Sequence, residues 1–337
     1  MKIAVDAGGR LSLEETVRGA AQAARDGAEI LLFGPAEDLR RALLACSVPE
    51  RDARVRVVDA PEAIGLEEDP AAACRDKARS SLLLAAGAVS RGEAEALLSS
   101  GNLAAVVLAA SWNVKRLPGV LKPPLACRLG TSRGRALLLD AGVHADCKPW
   151  HLLQFGLLGA AYARRVLRIS SPKVGLLSTG EAGTLNETVR EALPLLKYSG
   201  LEFAGAVDGR DVALGKADVV VCDGYAGSVC RKTLQGTAAA FAQSLEEALA
   251  GGRLAKLGAA LLRPALEGLR GRWTSGEGFC STLLGLEAPV VHCRGRGAEE
   301  IAAAARLAAE IAASGMNEDV RGSIQDFKTS MDAARPL

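Results

Sequence analysis

Aromatic residues are scarce in this chain: Phe, Trp and Tyr together make up 4% of its 337 residues. A surface that stacks bases needs aromatic faces interleaved with cations, and the chain is poor in the first. Its 41 Lys and Arg are set against 39 Asp and Glu, a formal charge of +2, with the two signs interspersed. That balance excludes wholesale nucleic-acid binding. No apolar run reaches the length needed to span a bilayer. The opening Met1-Lys2-Ile3-Ala4-Val5-Asp6 reads as a strand and lacks the apolar stretch and cleavage site of a signal peptide. Eight cysteines contain no Cys-x-x-Cys pair, so reduced thiols in a cytoplasm are expected. Asp6-Ala7-Gly8-Gly9 does not make a Gly-x-Gly-x-x-Gly, which disfavours NAD. No cofactor is expected.

What the chain does have is aliphatic bulk, with hydrophobic residues at 49%. Short apolar runs at 2–6, 29–33, 55–58, 104–108, 135–140, 173–178 and 218–222 read as buried strands. Between most of them lie Ala-, Leu- and Glu-rich stretches of helical spacing, such as 13–26, 37–45 and 80–91. Such alternation predicts an α/β fold, a mostly parallel sheet covered by helices, over one large domain of residues 1–337.

Ligands of such sheets sit beyond the carboxyl ends of the strands. Three loops there combine small residues with helix starts: Ser99-Ser100-Gly101-Asn102, the run from Ser178 through Gly180 to Asn186, and Asp223-Gly224-Tyr225-Ala226-Gly227-Ser228. Unpaired first-turn N–H groups and the helix dipole make each a candidate for an anion of the phosphate type. Asp6 and Asp223 end strands, where each could orient donors or accept a proton, or simply cap a helix. His144, Asp146, Cys147 and His151 match no zinc spacing, so no metal is expected. Cys147 could accept an acyl group, although a small buried residue is the simpler reading. Residues 253–273 are amphipathic: Leu254, Leu257, Leu261, Leu266, Leu269 and Trp273 share one face, away from Lys256, Arg263 and Arg270. Pro264 is expected to split this segment. Its apolar face suits a core, a subunit interface or a bilayer.

Several segments, in order and spacing, resemble the PlsX family of phosphate acyltransferases over nearly the whole chain. They are Gly209-Arg210-Asp211-Val212, Gly215 to Gly224, Lys232-Thr233, Leu138 to Gly142, Asp146 to Pro149, Leu152 to Gly156, Pro172 to Leu177, Lys77 with Ser80-Ser81, Ser100-Gly101-Asn102, and Leu283-Leu284-Gly285. The resemblance implies a three-layer α/β/α fold similar to isocitrate and isopropylmalate dehydrogenases and to phosphotransacetylases. It implies transfer of a fatty acyl group from acyl carrier protein to inorganic phosphate, for phospholipid synthesis. It also implies a homodimer, and a helical hairpin over 237–275 that meets the inner face of the membrane through 253–273.

On this basis Asn102, Asp223 and Lys77 are catalytic candidates. Asp6, Gly8, Gly9, Ser80, Ser81, Ser100, Gly101, His144, Gly180, Asn186, Arg210, Asp211, Gly224, Gly227 and Ser228 are candidates to bind substrate or phosphate. The chain departs from the family after its first strand, where Gly8-Gly9-Arg10 replaces a Met-Gly-Gly-Asp stretch, and at Thr184-Leu185. Two alternatives stay open: a phosphotransacetylase-like enzyme using short acyl-CoA, and a member that binds carrier protein without turnover.

Overall fold

A computed structural model describes residues 1–48, 54–179, 184–274, 280–294 and 297–333. In chain order, the first half gives β1 (Lys2–Asp6), α1 (Leu13–Arg25), β2 (Glu29–Gly34), α2 (Ala36–Ala45), β3 (Val55–Asp59), α3 (Pro70–Asp76), α4 (Ser81–Ser90), β4 (Ala96–Ser99), α5 (Leu103–Asn113), β5 (Leu125–Thr131), β6 (Gly134–Leu139) and α6 (Pro149–Arg165). Then follow β7 (Val174–Leu177), α7 (Glu187–Lys197), β8 (Phe203–Val207), α8 (Gly209–Leu214), β9 (Val219–Val221), α9 (Gly224–Ala250), α10 (Arg253–Thr274), β10 (Cys280–Leu283), β11 (Val290–Cys293), α11 (Ala298–Ala313) and α12 (Met316–Ala333). The expected α/β architecture of mostly parallel strands flanked by helices is present. Where one domain over 1–337 is expected, the contacts gather into two compact units.

The first unit takes Met1–Leu125, Arg165–Arg168 and Phe279–Leu337. Its strands lie in the order β3-β2-β1-β4-β11-β10, parallel except where β10 meets β11. Ile3, Ala4 and Val5 are fully buried, as a strand covered on both faces requires. Helix α1 starts because the Ser12 hydroxyl accepts from the Glu15 N–H, and it buries Val17, Ala20, Ala21 and Ala24. The parallel register sets Asp6 beside Ser99, which brings two strand ends to one point.

One expected strand is a helix. Residues 104–108 lie inside α5, and the strand of this region is the shorter β4 before it. The Asn102 side chain accepts from the N–H groups of Ala104 and Ala105, and that cap starts a helix where an apolar run alone is ambiguous.

The second unit takes Ala126–Arg164 and Ile169–Gly278, with strand order β5-β6-β9-β7-β8. Only β5 runs antiparallel to its neighbour among these pairs. Helix α6 carries the bulky core, Phe155 and Tyr162 being buried, and Arg128 donates to the Tyr162 hydroxyl at 3.0 Å. Helix α9 packs against α10, and from Lys232 to Gly268 no described residue is buried. Pro264 does not split α10, contrary to expectation. It is exposed, so water can satisfy the carbonyl whose helical bond it removes.

Candidate functional site

In the first unit, four chain segments converge on the end of β1. The Asp6 carboxylate is 2% exposed and accepts from the Ser81 hydroxyl at 2.5 Å, the Ser99 hydroxyl at 2.7 Å and the Gly8 N–H at 3.0 Å. Burial pushes its carboxyl above the ordinary range, opposed by those three bonds. The Gly8–Gly9 turn passes close to both serine loops. A Cβ on Gly8 would fall 2.3 Å from Ser81 Oγ, and one on Gly9 would fall 2.4 Å from Ser100 Oγ. Ser99 Oγ in turn accepts from the Gly101 N–H at 3.0 Å, and His292 meets the Gly101 carbonyl through Nε2 at 2.9 Å. Two hydroxyls differ from the rest: Ser80 Oγ and Ser100 Oγ are buried without a hydrogen-bond partner among the described residues.

The two catalytic candidates of this unit are already engaged. Asn102 caps α5 through Oδ1, while its Nδ2 donates to the carbonyls of Leu66 and Glu68 at 3.1 and 3.3 Å. Lys77 Nζ donates to the Ala63 carbonyl at 2.9 Å and to Glu68 Oε1 at 2.7 Å. Both therefore brace the 63–68 loop. Glu68 was not legible as part of this cluster, since nothing in the sequence links it to residues 77 and 102.

In the second unit, the buried Asp140 carboxylate gathers the N–H groups of Gly142, Val143 and His144 at 3.0, 3.1 and 2.7 Å. The His144 carbonyl then accepts from the Gly224 N–H at 2.7 Å, and Asp223 caps α9 through the Ala226 N–H at 2.8 Å. Helix α9 seats on this loop because residues 224 and 227 are glycines. A Cβ on Gly227 would lie 1.8 Å from the Asp140 carbonyl oxygen. One turn on, Arg231 is 3% exposed and donates to the Ala141 carbonyl at 3.4 Å and to Gln235 at 3.3 Å. Asp140 and Arg231 are additions to the predicted set. The signal for Asp140 is its place at a strand end before Gly142.

Beside the start of α9 opens a cleft of about 550 Å³. Leu177, Leu185, Val189, Tyr225, Val229 and Leu234 give it an apolar lining, and Ser178, Asn186, Gly209, Asp223 and Thr233 supply polar points. Asn186 caps α7 by accepting from the Val189 N–H at 2.8 Å. Arg210 and Asp211 serve α8: Asp211 completes a capping box with Asp208 and bonds Lys216, and Arg210 pairs with Asp208 while largely exposed. Ser228 lies in the second turn of α9, against Gly142. Gly180 lies outside the described residues. Burial pushes the Cys222 and Cys230 thiols up, which keeps them protonated and poor as nucleophiles. Cys147 Sγ sits 3.6 Å from the His144 carbonyl.

Set against known proteins, the chain matches the family model described as "Fatty acid synthesis protein" over residues 1–319. It is 40% identical over 332 residues to the phosphate acyltransferase of Pelotomaculum thermopropionicum, covering 97% of this chain and 96% of that protein. The chain belongs to the PlsX family. As a family member it is an acyltransferase. The phosphate acyltransferase of Elusimicrobium minutum is 36% identical, with 97% of each chain covered. Among solved structures, a phosphotransacetylase from Streptococcus pyogenes superposes with a TM-score of 0.63 at 20% identity, covering 93% of this chain and 94% of that one. At that identity the likeness speaks for the fold. Among the described residues no helix is long and apolar enough to cross a membrane.

Proposed function

We propose that this PlsX member transfers a fatty acyl group from acyl carrier protein to inorganic phosphate, yielding acyl phosphate for phospholipid synthesis. The observation that supports a long acyl chain is the apolar cleft at the start of α9. Its volume falls within the range of ordinary ligand pockets, and its lining is aliphatic with a few polar points, as a hydrocarbon chain or thioester arm requires. The names of the relatives support phosphate as acceptor.

Phosphate at neutral pH is already an anionic nucleophile, so the protein's task is to desolvate it and aim it. A phosphate oxygen attacks the thioester carbonyl carbon. The oxyanion that forms is stabilised by fixed N–H and hydroxyl donors. On collapse the C–S bond breaks, the C–O–P link remains, and the departing thiolate takes the proton that hydrogen phosphate gives up. No acyl-enzyme is needed. Asn102 and Lys77 act as positioning residues through the 63–68 loop, and Asp223 orders the first turn of α9.

The same reading includes a homodimer and contact with a membrane surface through 253–273. It is supported by the exposure of Phe241, Leu261 and Leu262, at 70%, 78% and 55%, on a helix pair that buries none of its described outer residues. Such a pair suits an interfacial site that receives a greasy product. The deciding experiment incubates the protein with long-chain acyl carrier protein and labelled phosphate. Labelled acyl phosphate without added nucleotide or metal is the expected result. Turnover with acetyl- or butyryl-CoA alone would assign a short-chain phosphotransacetylase instead. Carrier-protein binding without turnover would make this a non-catalytic member.

A further inference from the structure

We infer that the start of α4 together with Ser100 forms the phosphoryl-binding subsite, in which Ser80 Oγ, Ser100 Oγ and the N–H groups of Leu82 and Leu83 are the donors, and Asp6 is the positioning residue that takes Ser81 and Ser99 out of that role. The inference rests on the acyl-to-phosphate reading above and names which groups of the serine-rich loops meet the anion.

Counting protons separates the four serines. A hydroxyl has one proton to donate. Ser81 and Ser99 both direct theirs at the Asp6 carboxylate, at 2.5 and 2.7 Å. Neither has a donor left for a ligand. Ser80 and Ser100 sit next to them in the chain, 0% and 2% exposed, and neither hydroxyl has a partner among the described residues. Buried hydroxyls left unpaired are rare, because each forfeits its bonds to water. Two of them, each next in the chain to a serine bound to Asp6, call for a common acceptor.

The helix start supplies the rest. Ser80 occupies the N-cap position of α4, yet its side chain makes no cap bond. Ordinarily that side chain would accept from the second or third N–H of the helix, as Ser12, Asn102, Asn186 and Asp223 do for theirs. The Ser81 N–H goes to the Glu62 carbonyl and the Leu84 N–H to the Ser80 carbonyl. The N–H groups of Leu82 and Leu83 are left without a partner among the described residues. Two amide donors and a hydroxyl at the positive end of a ten-residue helix make a cradle for a dianion. On the other side, the Gly9 turn passes so close to Ser100 Oγ that a Cβ on residue 9 would meet it at 2.4 Å.

A phosphoryl group can reach this cradle as free phosphate or as the phosphodiester of the acyl donor's arm. The test uses the full chain with Ser80→Ala, Ser100→Ala and Ser81→Ala, read by thermal melting with and without inorganic phosphate and by the two KM values. Ser80→Ala and Ser100→Ala should melt above the parent without phosphate, since each deletes an unpaired buried hydroxyl. Their phosphate-induced rise in Tm should shrink. The KM for phosphate should increase about tenfold or more, as expected for one hydrogen bond to a charged group. An increase confined to the KM of the acyl donor would keep the subsite and assign it to the donor's phosphodiester. Ser81→Ala should melt below the parent, because it breaks a bond to Asp6. If an alanine variant does not fold, Ser100→Cys, which keeps the volume with a weak donor, is read the same way.

The inference is overturned if both KM values and the phosphate-induced Tm rise survive in the Ser80 and Ser100 variants. It is also overturned if those variants melt below the parent without phosphate. Acyl phosphate formation with unchanged KM values would sink the subsite and spare the function. Serine-dependent phosphate binding without turnover would do the reverse.

Discussion

Replacing Asp6 probes the first unit most directly, because one carboxylate organises three chain segments there. Asp6→Ala leaves the Ser81 hydroxyl, the Ser99 hydroxyl and the Gly8 N–H without their acceptor. At about 1–3 kcal/mol for each buried donor left unpaired, and with the two hydroxyls free to rotate, the loss should be about 3–5 kcal/mol. That is a large part of a typical domain's stability. Asp6→Asn keeps the shape and one acceptor, and its pH dependence is the sharper test. Burial raises the Asp6 carboxyl above its unfolded value. The stability tied to that proton is fully present below the unfolded pKa, near 3.9, and is lost as pH rises through the folded pKa. Each unit between the two values is worth about 1.4 kcal/mol. The substituted amide does not titrate. The parent's stability relative to Asp6→Asn should therefore fall as pH is raised from about 4 upward, and then level off. Urea denaturation of both proteins at a series of pH values measures this. A difference that is flat with pH, or that grows in the parent's favour, would refute the assignment of Asp6 as a desolvated carboxyl.

Other substitutions carry their own expectations. Gly227→Ala forces a methyl onto the Asp140 carbonyl and should destabilise the second unit by more than about 3 kcal/mol, seen as a lowered denaturant midpoint. Asn102→Ala removes a helix cap and two bonds to the 63–68 loop, so it should cost about 1–2 kcal/mol and raise the KM for phosphate more than it lowers kcat. Leu261→Glu with Leu262→Glu should leave Tm within about 1 °C, because both side chains are exposed. That pair should abolish sedimentation with anionic liposomes while sparing turnover of soluble acyl carrier protein.

Much of the fold was legible because buried parallel strands are short apolar runs and their loops are rich in small residues. The run at 104–108 misled for a physical reason. Ala-Ala-Val-Val-Leu has no polar face to betray a helix, and the deciding signal is the single cap at Asn102. Strands β10 and β11 escaped notice, being four residues each with Ser, Thr and His among them. At the site, the serine loops could be named from the chain. The pairing of Asp6 with Ser99 could not, since it depends on β1 lying beside β4 in one register. Arg210 and Asp211 stood out in sequence, and most of their bonding is the local business of starting α8.

Helix α9 is a single element of 27 residues, about 40 Å long at 1.5 Å per residue. Its first turn is locked to the Asp140–His144 loop, and its outer half carries Phe241 into solvent. It therefore works as a ruler. On the function proposed above, whatever surface receives the outer end of the helix would stand at a set distance from the apolar cleft at its base. Adding or deleting whole turns would change that distance in steps of about 5.4 Å while leaving the lining of the cleft untouched. Delivery of the product could thus be slowed or hastened by length alone, separately from the rate at which it is made.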